Sequence, residues 1–142
     1  MADLATAFGM TVLHADSKTT TEALKQMCSA SDFITIHCPY NKNTHHLISN
    51  VEFSAMKKGV YLINNSRGGV VDESALLNAL NSNIVEYASI DVFEKEPPEQ
   101  NNKLLHHPRV FVTPHVAWDT KEAVERLSDV CVENLEQYLA SV

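Results

Sequence analysis

The sequence predicts an α/β fold built on a parallel sheet, and three observations lead there. Short apolar runs rich in Val, Ile and aromatics recur along the chain, helix-length amphipathic segments separate them, and most runs are apolar at successive positions rather than at alternate ones. A strand buried on both faces reads as a continuous apolar run. Its parallel neighbour is then reached by a crossover long enough to cover one face of the sheet.

Taken in order, Ala2–Phe8 is helix-like and runs through Gly9 into the first apolar run, Met10–Ala15. Further strands are expected at Phe33–His37, Val60–Asn64, Val85–Ile90 and Val110–Thr113. Between them the spacing predicts helices over Thr21–Ala30, Asn50–Lys57 and Glu73–Leu80, with a long one over Thr120–Leu139 after the last strand. That last helix sets Ala123, Leu127, Val130 and Leu135 near one face and Lys121, Glu125 and Glu133 elsewhere, so it needs a surface to cover. Two stretches lack periodicity, Cys38–Ser49 and Val92–Pro108. Long irregular loops in a compact domain are usually functional, and in open parallel sheets ligands bind outside the carboxyl ends of the strands.

At 142 residues, 44% of them hydrophobic, the chain has material for one core and is expected to form one domain, 1–142, with a C-terminal helix over 119–142. A formal charge of −7 repels nucleic acid and anionic lipid, so neither is expected as a partner. No apolar run approaches the roughly 20 residues of a membrane helix, and the first residues lack a basic-then-apolar pattern, so neither insertion nor export is expected. Cys28, Cys38 and Cys131 are odd in number and widely spaced, which reads as reduced thiols in a cytoplasm. The pairs His45-His46 and His106-His107 invite a metal site. Adjacent side chains are expected to diverge, however, and no cysteine or second carboxylate stands at ligand spacing, so no metal is expected.

Chemistry concentrates at the strand ends. Asp16 closes the first strand, where an acidic side chain either accepts from a ribose, caps the helix that starts near Thr19 or simply faces water. In Leu62-Ile63-Asn64-Asn65-Ser66-Arg67-Gly68-Gly69 a strand ends in an arginine that either grips a carboxylate bidentately or bridges to a neighbouring loop. Asp91 and Glu96 follow the next strand, and His115 follows the last in Thr113-Pro114-His115. A lone strand-end histidine is often structural. Hydride transfer at a carbonyl carbon needs a cation for an acid substrate, a proton donor active near neutrality and a carboxylate that stabilises the charged donor; Arg67, His115 and Glu96 fill those roles. Trp118 either belongs to that site or anchors the long helix.

Ile63–Glu73, Asp91–Pro98 and Thr113–Trp118 together resemble the signature blocks of the D-isomer-specific 2-hydroxyacid dehydrogenases. His37-Cys38-Pro39 with Asn43–Ile48 is similar to that family's adenine-side loop, and Phe8-Gly9-Met10 with Asp16 resembles its second-strand entry. The resemblance implies a Rossmann-like doubly wound parallel sheet and NAD as cofactor. It implies that Arg67 binds the substrate carboxylate and carbonyl, that His115 is the general acid/base and that Glu96 is its partner. It also implies that Asp16 holds the adenosine ribose, Asp91 holds the nicotinamide carboxamide, and Pro39 and the backbone near Asn65 line the cofactor. Asp16 without a neighbouring arginine favours NAD over its phosphorylated form. Glu96 stands where formate dehydrogenases carry glutamine, and Pro114–Trp118 is most similar to the glycerate dehydrogenase or hydroxypyruvate reductase branch.

Against the family pattern, the first strand with its glycine loop and the substrate domain are expected to be lacking. The sheet is therefore expected to be incomplete, with unpaired strand edges. Two functions follow as expectations. In one, the chain is part of an NAD-dependent enzyme acting on a small D-2-hydroxy or 2-keto acid. In the other, it is a non-catalytic dimerisation or cofactor-binding module. A homodimer is expected under either.

Overall fold

The computed structural model describes residues 1–141. Its helices are α1 (Ala2–Ala7), α2 (Thr21–Ala30), α3 (Asn50–Ala55), α4 (Glu73–Asn81) and α5 (Lys121–Ala140). Its strands are β1 (Phe33–Ile36), β2 (Val60–Asn64), β3 (Val85–Ile90) and β4 (Val110–Val112), with a short 3-10 turn over Gly68–Val70. The strands form one sheet in the order β1-β2-β3-β4, every neighbouring pair parallel. The α/β class expected from the sequence is therefore the class observed.

Helix starts follow the local chemistry. Thr20, Asp72 and Thr120 each accept the backbone N–H three residues on, satisfying an orphan donor of α2, α4 and α5. Ser49 and Glu52 form a capping box on α3. The core lies between the sheet and α3 and α4, where Leu62, Leu76, Leu80, Val60, Val70 and Val85 are fully buried. A Schellman-like or proline stop is not needed to end α3, because Met56 turns to an extended conformation and its N–H bonds back to Phe53.

Two expectations are corrected. The run Met10–Ala15 is not a strand: its residues are exposed, and among the described residues no ladder hydrogen bond is made by residues 11–15. An extended tract becomes a strand only against a partner whose N–H and C=O groups it can share, and no described segment lies alongside. The strands are also not buried on both faces. β2 shows Val60, Leu62 and Asn64 buried while Tyr61 is exposed. On that open face Phe33 stacks on Tyr61 at 5.0 Å and Tyr61 on Tyr87 at 6.1 Å, with Phe111 also exposed. Neither α1 nor α5 buries a residue, so the two helices with apolar sides to spare leave this face uncovered.

Candidate active site at three strand ends

The carboxyl ends of β2, β3 and β4 each deliver one member of the expected trio. β2 closes on Asn64, which is 1% exposed. A buried amide must be paired, and this one is: its Oδ1 accepts from the Ser66 backbone N–H at 3.1 Å and the Ser66 hydroxyl at 2.9 Å, while its Nδ2 donates to the Arg67 carbonyl at 3.1 Å. The Asn64 carbonyl accepts from the Asp91 N–H at 3.0 Å, joining the ends of β2 and β3. Arg67 stands exposed on this braced turn, with Nη1 donating to the Ser66 carbonyl at 2.7 Å.

Gly68 follows because nothing larger fits. A Cβ there would lie 1.9 Å from the Phe93 carbonyl carbon, so the backbones of the Arg67 and Glu96 loops touch directly. A Cβ on Gly69 would meet the Tyr40 ring at 2.7 Å, which brings the Cys38–Ser49 loop against the same turn. His46 N–H donates to the Gly69 carbonyl and Ile48 N–H to the Val70 carbonyl, completing that junction.

From β3, Glu96 accepts the Phe93 N–H through Oε1 at 2.9 Å and meets His115 Nδ1 through Oε2 at 2.7 Å. Burial pushes the Glu96 carboxyl up, but the Phe93 N–H, the His115 hydrogen bond and the charges of His115 and Arg67 outweigh it and hold the group below its ordinary value. With Nδ1 engaged by the carboxylate, Nε2 is left as the nitrogen that exchanges a proton. His115 sits at φ 58°, a left-handed conformation unusual for histidine.

Asp91 holds that conformation. It is 2% exposed; Oδ1 accepts from the Val116 N–H at 2.9 Å and from the Thr113 hydroxyl, and Oδ2 accepts from the Ala117 N–H at 2.8 Å. Burial again pushes the carboxyl up, and these donors together with His115 bring it below its ordinary value. The Trp118 indole N–H donates to the His115 carbonyl at 3.0 Å, so this ring serves the His115 turn directly as well as preceding the long helix.

Arg67 and Glu96 line one open cleft of about 280 Å³ with Tyr40, His45, Gly68, Gly69, Phe93 and Glu94. His115 joins it through Glu96. The cofactor-side candidates are more scattered. Asn65 is exposed in the Arg67 turn, and the Pro39 carbonyl accepts from Thr44 Oγ1 at 2.7 Å. Asp16 is exposed and accepts from the Lys18 N–H at 2.8 Å in a local turn; it does not cap α2, which Thr20 caps. The expected divergence of His45 and His46 is overturned: φ 49° at His46 folds the backbone so that the rings stack at 3.9 Å. Asn64 and Tyr40 were not singled out from the sequence, and Gly68 only as part of the Arg67-Gly68-Gly69 turn. A buried-strand asparagine was the available signal for Asn64, since a polar residue ending VYLIN must find partners nearby.

A parallel α/β sheet that gathers a cation, a carboxylate and an imidazole at consecutive strand ends places them where open sheets of this class bind ligands. Residues 1–117 match the profile of the D-isomer specific 2-hydroxyacid dehydrogenase NAD binding domain, and the chain belongs to this family. It is 40% identical to glycerate dehydrogenase of Methylorubrum extorquens over 99% of the chain and 46% of that protein. It is 39% identical to a putative 2-hydroxyacid dehydrogenase of Haemophilus influenzae over 96% of the chain and 46% of that protein. D-lactate dehydrogenase from Aquifex aeolicus, solved with NAD and lactic acid, superposes with a TM-score of 0.84 at 32% identity, over 99% of this chain and 49% of that one. The chain thus spans under half the length of these relatives.

Proposed function

We propose that this chain forms the nicotinamide-side wall of an NAD-dependent dehydrogenase that interconverts a small D-2-hydroxy acid and its 2-keto acid. The observation that carries the reading is the 2.7 Å His115–Glu96 pair beside Arg67. Arg67 holds the substrate carboxylate, and its planar fork suits bidentate binding. His115 Nε2 donates a proton to the keto oxygen in reduction and takes it back in oxidation, while Glu96 stabilises the charged imidazole. Asp91 sets the turn that aims the ring. NAD supplies or accepts the hydride; Asp16, Pro39, Asn65 and Asp91 are the residues assigned to it. Asp16 and Asn65 are exposed as a cofactor contact requires, whereas Asp91 is committed to the His115 turn and reaches the nicotinamide carboxamide only with its remaining acceptor capacity.

Titration of the isotope-labelled chain with NADH, followed by amide chemical shifts, tests this assignment. Changes are expected around Asp16, Cys38 to Tyr40, Asn65 and His115; changes confined to other segments would exclude it. Turnover of 2-keto acids by the isolated chain is expected to be negligible, and robust reduction would show that these residues suffice alone.

A second reading, a non-catalytic dimerisation module, is favoured by one observation: α5 is unburied over its whole length, with Leu127, Val130, Leu135 and Leu139 exposed. A homodimer is compatible with both readings, and light scattering at increasing concentration checks it. We further assign the protein to the cytoplasm, supported by its free thiols and by the lack, among the described residues, of a helix long and apolar enough to cross a membrane.

A further inference from the structure

Two carboxylates outside the trio tie together the loops that carry it. Glu73, the first residue of α4, accepts the Glu94 backbone N–H at 2.7 Å. Glu94 reciprocates, accepting the Glu73 backbone N–H at 2.9 Å. The second Glu73 oxygen accepts from the Asn102 side chain at 2.8 Å, so one carboxylate holds two well-separated points of the irregular stretch after β3. His46 faces the pair, its Nε2 3.2 Å from Glu94 Oε1 and its Nδ1 3.9 Å from Asp72 Oδ2.

We propose that Glu73 and Glu94 are positioning residues for the hydride-transfer site, a reciprocal clamp that docks the Glu96 loop against the Arg67 turn so that Glu96 reaches His115. Between β3 and β4 no helix or strand fixes the chain. Glu96 therefore takes its place from tethers, among them the backbone contact of Phe93 on Gly68, the Glu94 N–H on Glu73, the Glu73 N–H on Glu94, and Asn102 on the Glu73 carboxylate. Glu94 sits two residues before Glu96, and Glu73 six residues after Arg67, so the clamp closes a short path between the two functional loops. Each carboxylate is a charge-assisted acceptor, and Glu94 additionally lies at the positive end of α4. These donors offset the repulsion between the two negative groups.

The proposal rests on the reading that Glu96 and His115 act as a pair, yet its test needs no turnover. Side-chain carboxyl resonances of the 142-residue chain report the titration of Glu96 directly. In Glu73→Ala the Glu96 midpoint is expected to rise toward 4.5, its ordinary value, as His115 and the charge of Arg67 are lost to it. The sign is diagnostic, because merely deleting a nearby negative charge would lower the midpoint. Glu73→Gln keeps an oxygen for the Glu94 N–H and is expected to retain most of the wild-type value. Glu73→Asp, which keeps the charge but falls short by one carbon, is expected to behave as Glu73→Ala and serves if the alanine variant does not fold. A Glu96 midpoint that stays put or falls in Glu73→Asp or folded Glu73→Ala would overturn the clamp. Absence of NADH-induced shifts in a chain whose Glu96 responds as expected would instead fail the dehydrogenase reading and leave the clamp standing.

Discussion

At the scale of single residues, the proposed site divides between groups assigned to the chemistry and groups whose hydrogen bonds hold them in place. That Arg67, Glu96 and His115 come together was legible in the sequence because each stands just after a strand of one parallel sheet, and Glu96 meets His115 at 2.7 Å. Asn64 and Asp91 show why aiming is harder to read: what Asn64 does depends on three hydrogen bonds to residues two and three positions on, and what Asp91 does depends on donors 22 to 26 residues away. The family resemblance implies a cofactor role for Asp91, and its hydrogen bonds add a second one that the sequence did not suggest, bracing the His115 turn. The cysteines differ in environment too. Cys28 is buried, and its thiol is pushed up to about 11 by that burial and by the charge of Glu52, while Cys131 is exposed. Cys131 is therefore expected to react first with a disulfide reagent and Cys28 only on unfolding; mass-mapped labelling in native buffer checks the order.

Secondary elements reach the site through their ends and junctions. Gly68→Ala would drive a methyl group into the Phe93 backbone, and since backbone cannot step aside as a side chain can, the two loops must separate. Loss of the Glu96–His115 contact and a stability loss of about 1–3 kcal/mol are expected, read from denaturant unfolding and the Glu96 titration. Away from the site, Leu62→Ala in fully buried β2 is expected to cost about 2–5 kcal/mol without moving those resonances. Four of the five expected strands and all the expected helices were legible to within two residues at each end, because their periodicity is local. Met10–Ala15 was not, because a strand is defined by its neighbour and among the described residues this tract has no ladder partner. The open face of Phe33, Tyr61, Tyr87 and Phe111 has the same origin: continuous apolar sequence says that a face wants cover, not that the described chain provides it.

For the molecule as a whole, acid should loosen the site and the fold together. Asp91 and Glu96 both titrate below their ordinary values of 3.8 and 4.5 in the folded chain. Groups depressed on folding stabilise fully above the unfolded value, and that contribution disappears as pH falls through the folded one. The thermal midpoint is thus expected to fall more steeply below pH 4.5 than in Glu96→Gln, which has no such proton to take up. Equal slopes would place the acid sensitivity elsewhere. The claim that Arg67, Glu96 and His115 form a hydride-transfer site is tested most directly by letting the chain replace the matching segment of Methylorubrum extorquens glycerate dehydrogenase, to which it is 40% identical. NADH-dependent reduction of hydroxypyruvate should be supported by this chimera, and His115→Asn within it should lower kcat by about 10²-fold or more. A folded, NADH-binding chimera whose kcat is unaffected by His115→Asn would contradict the assignment.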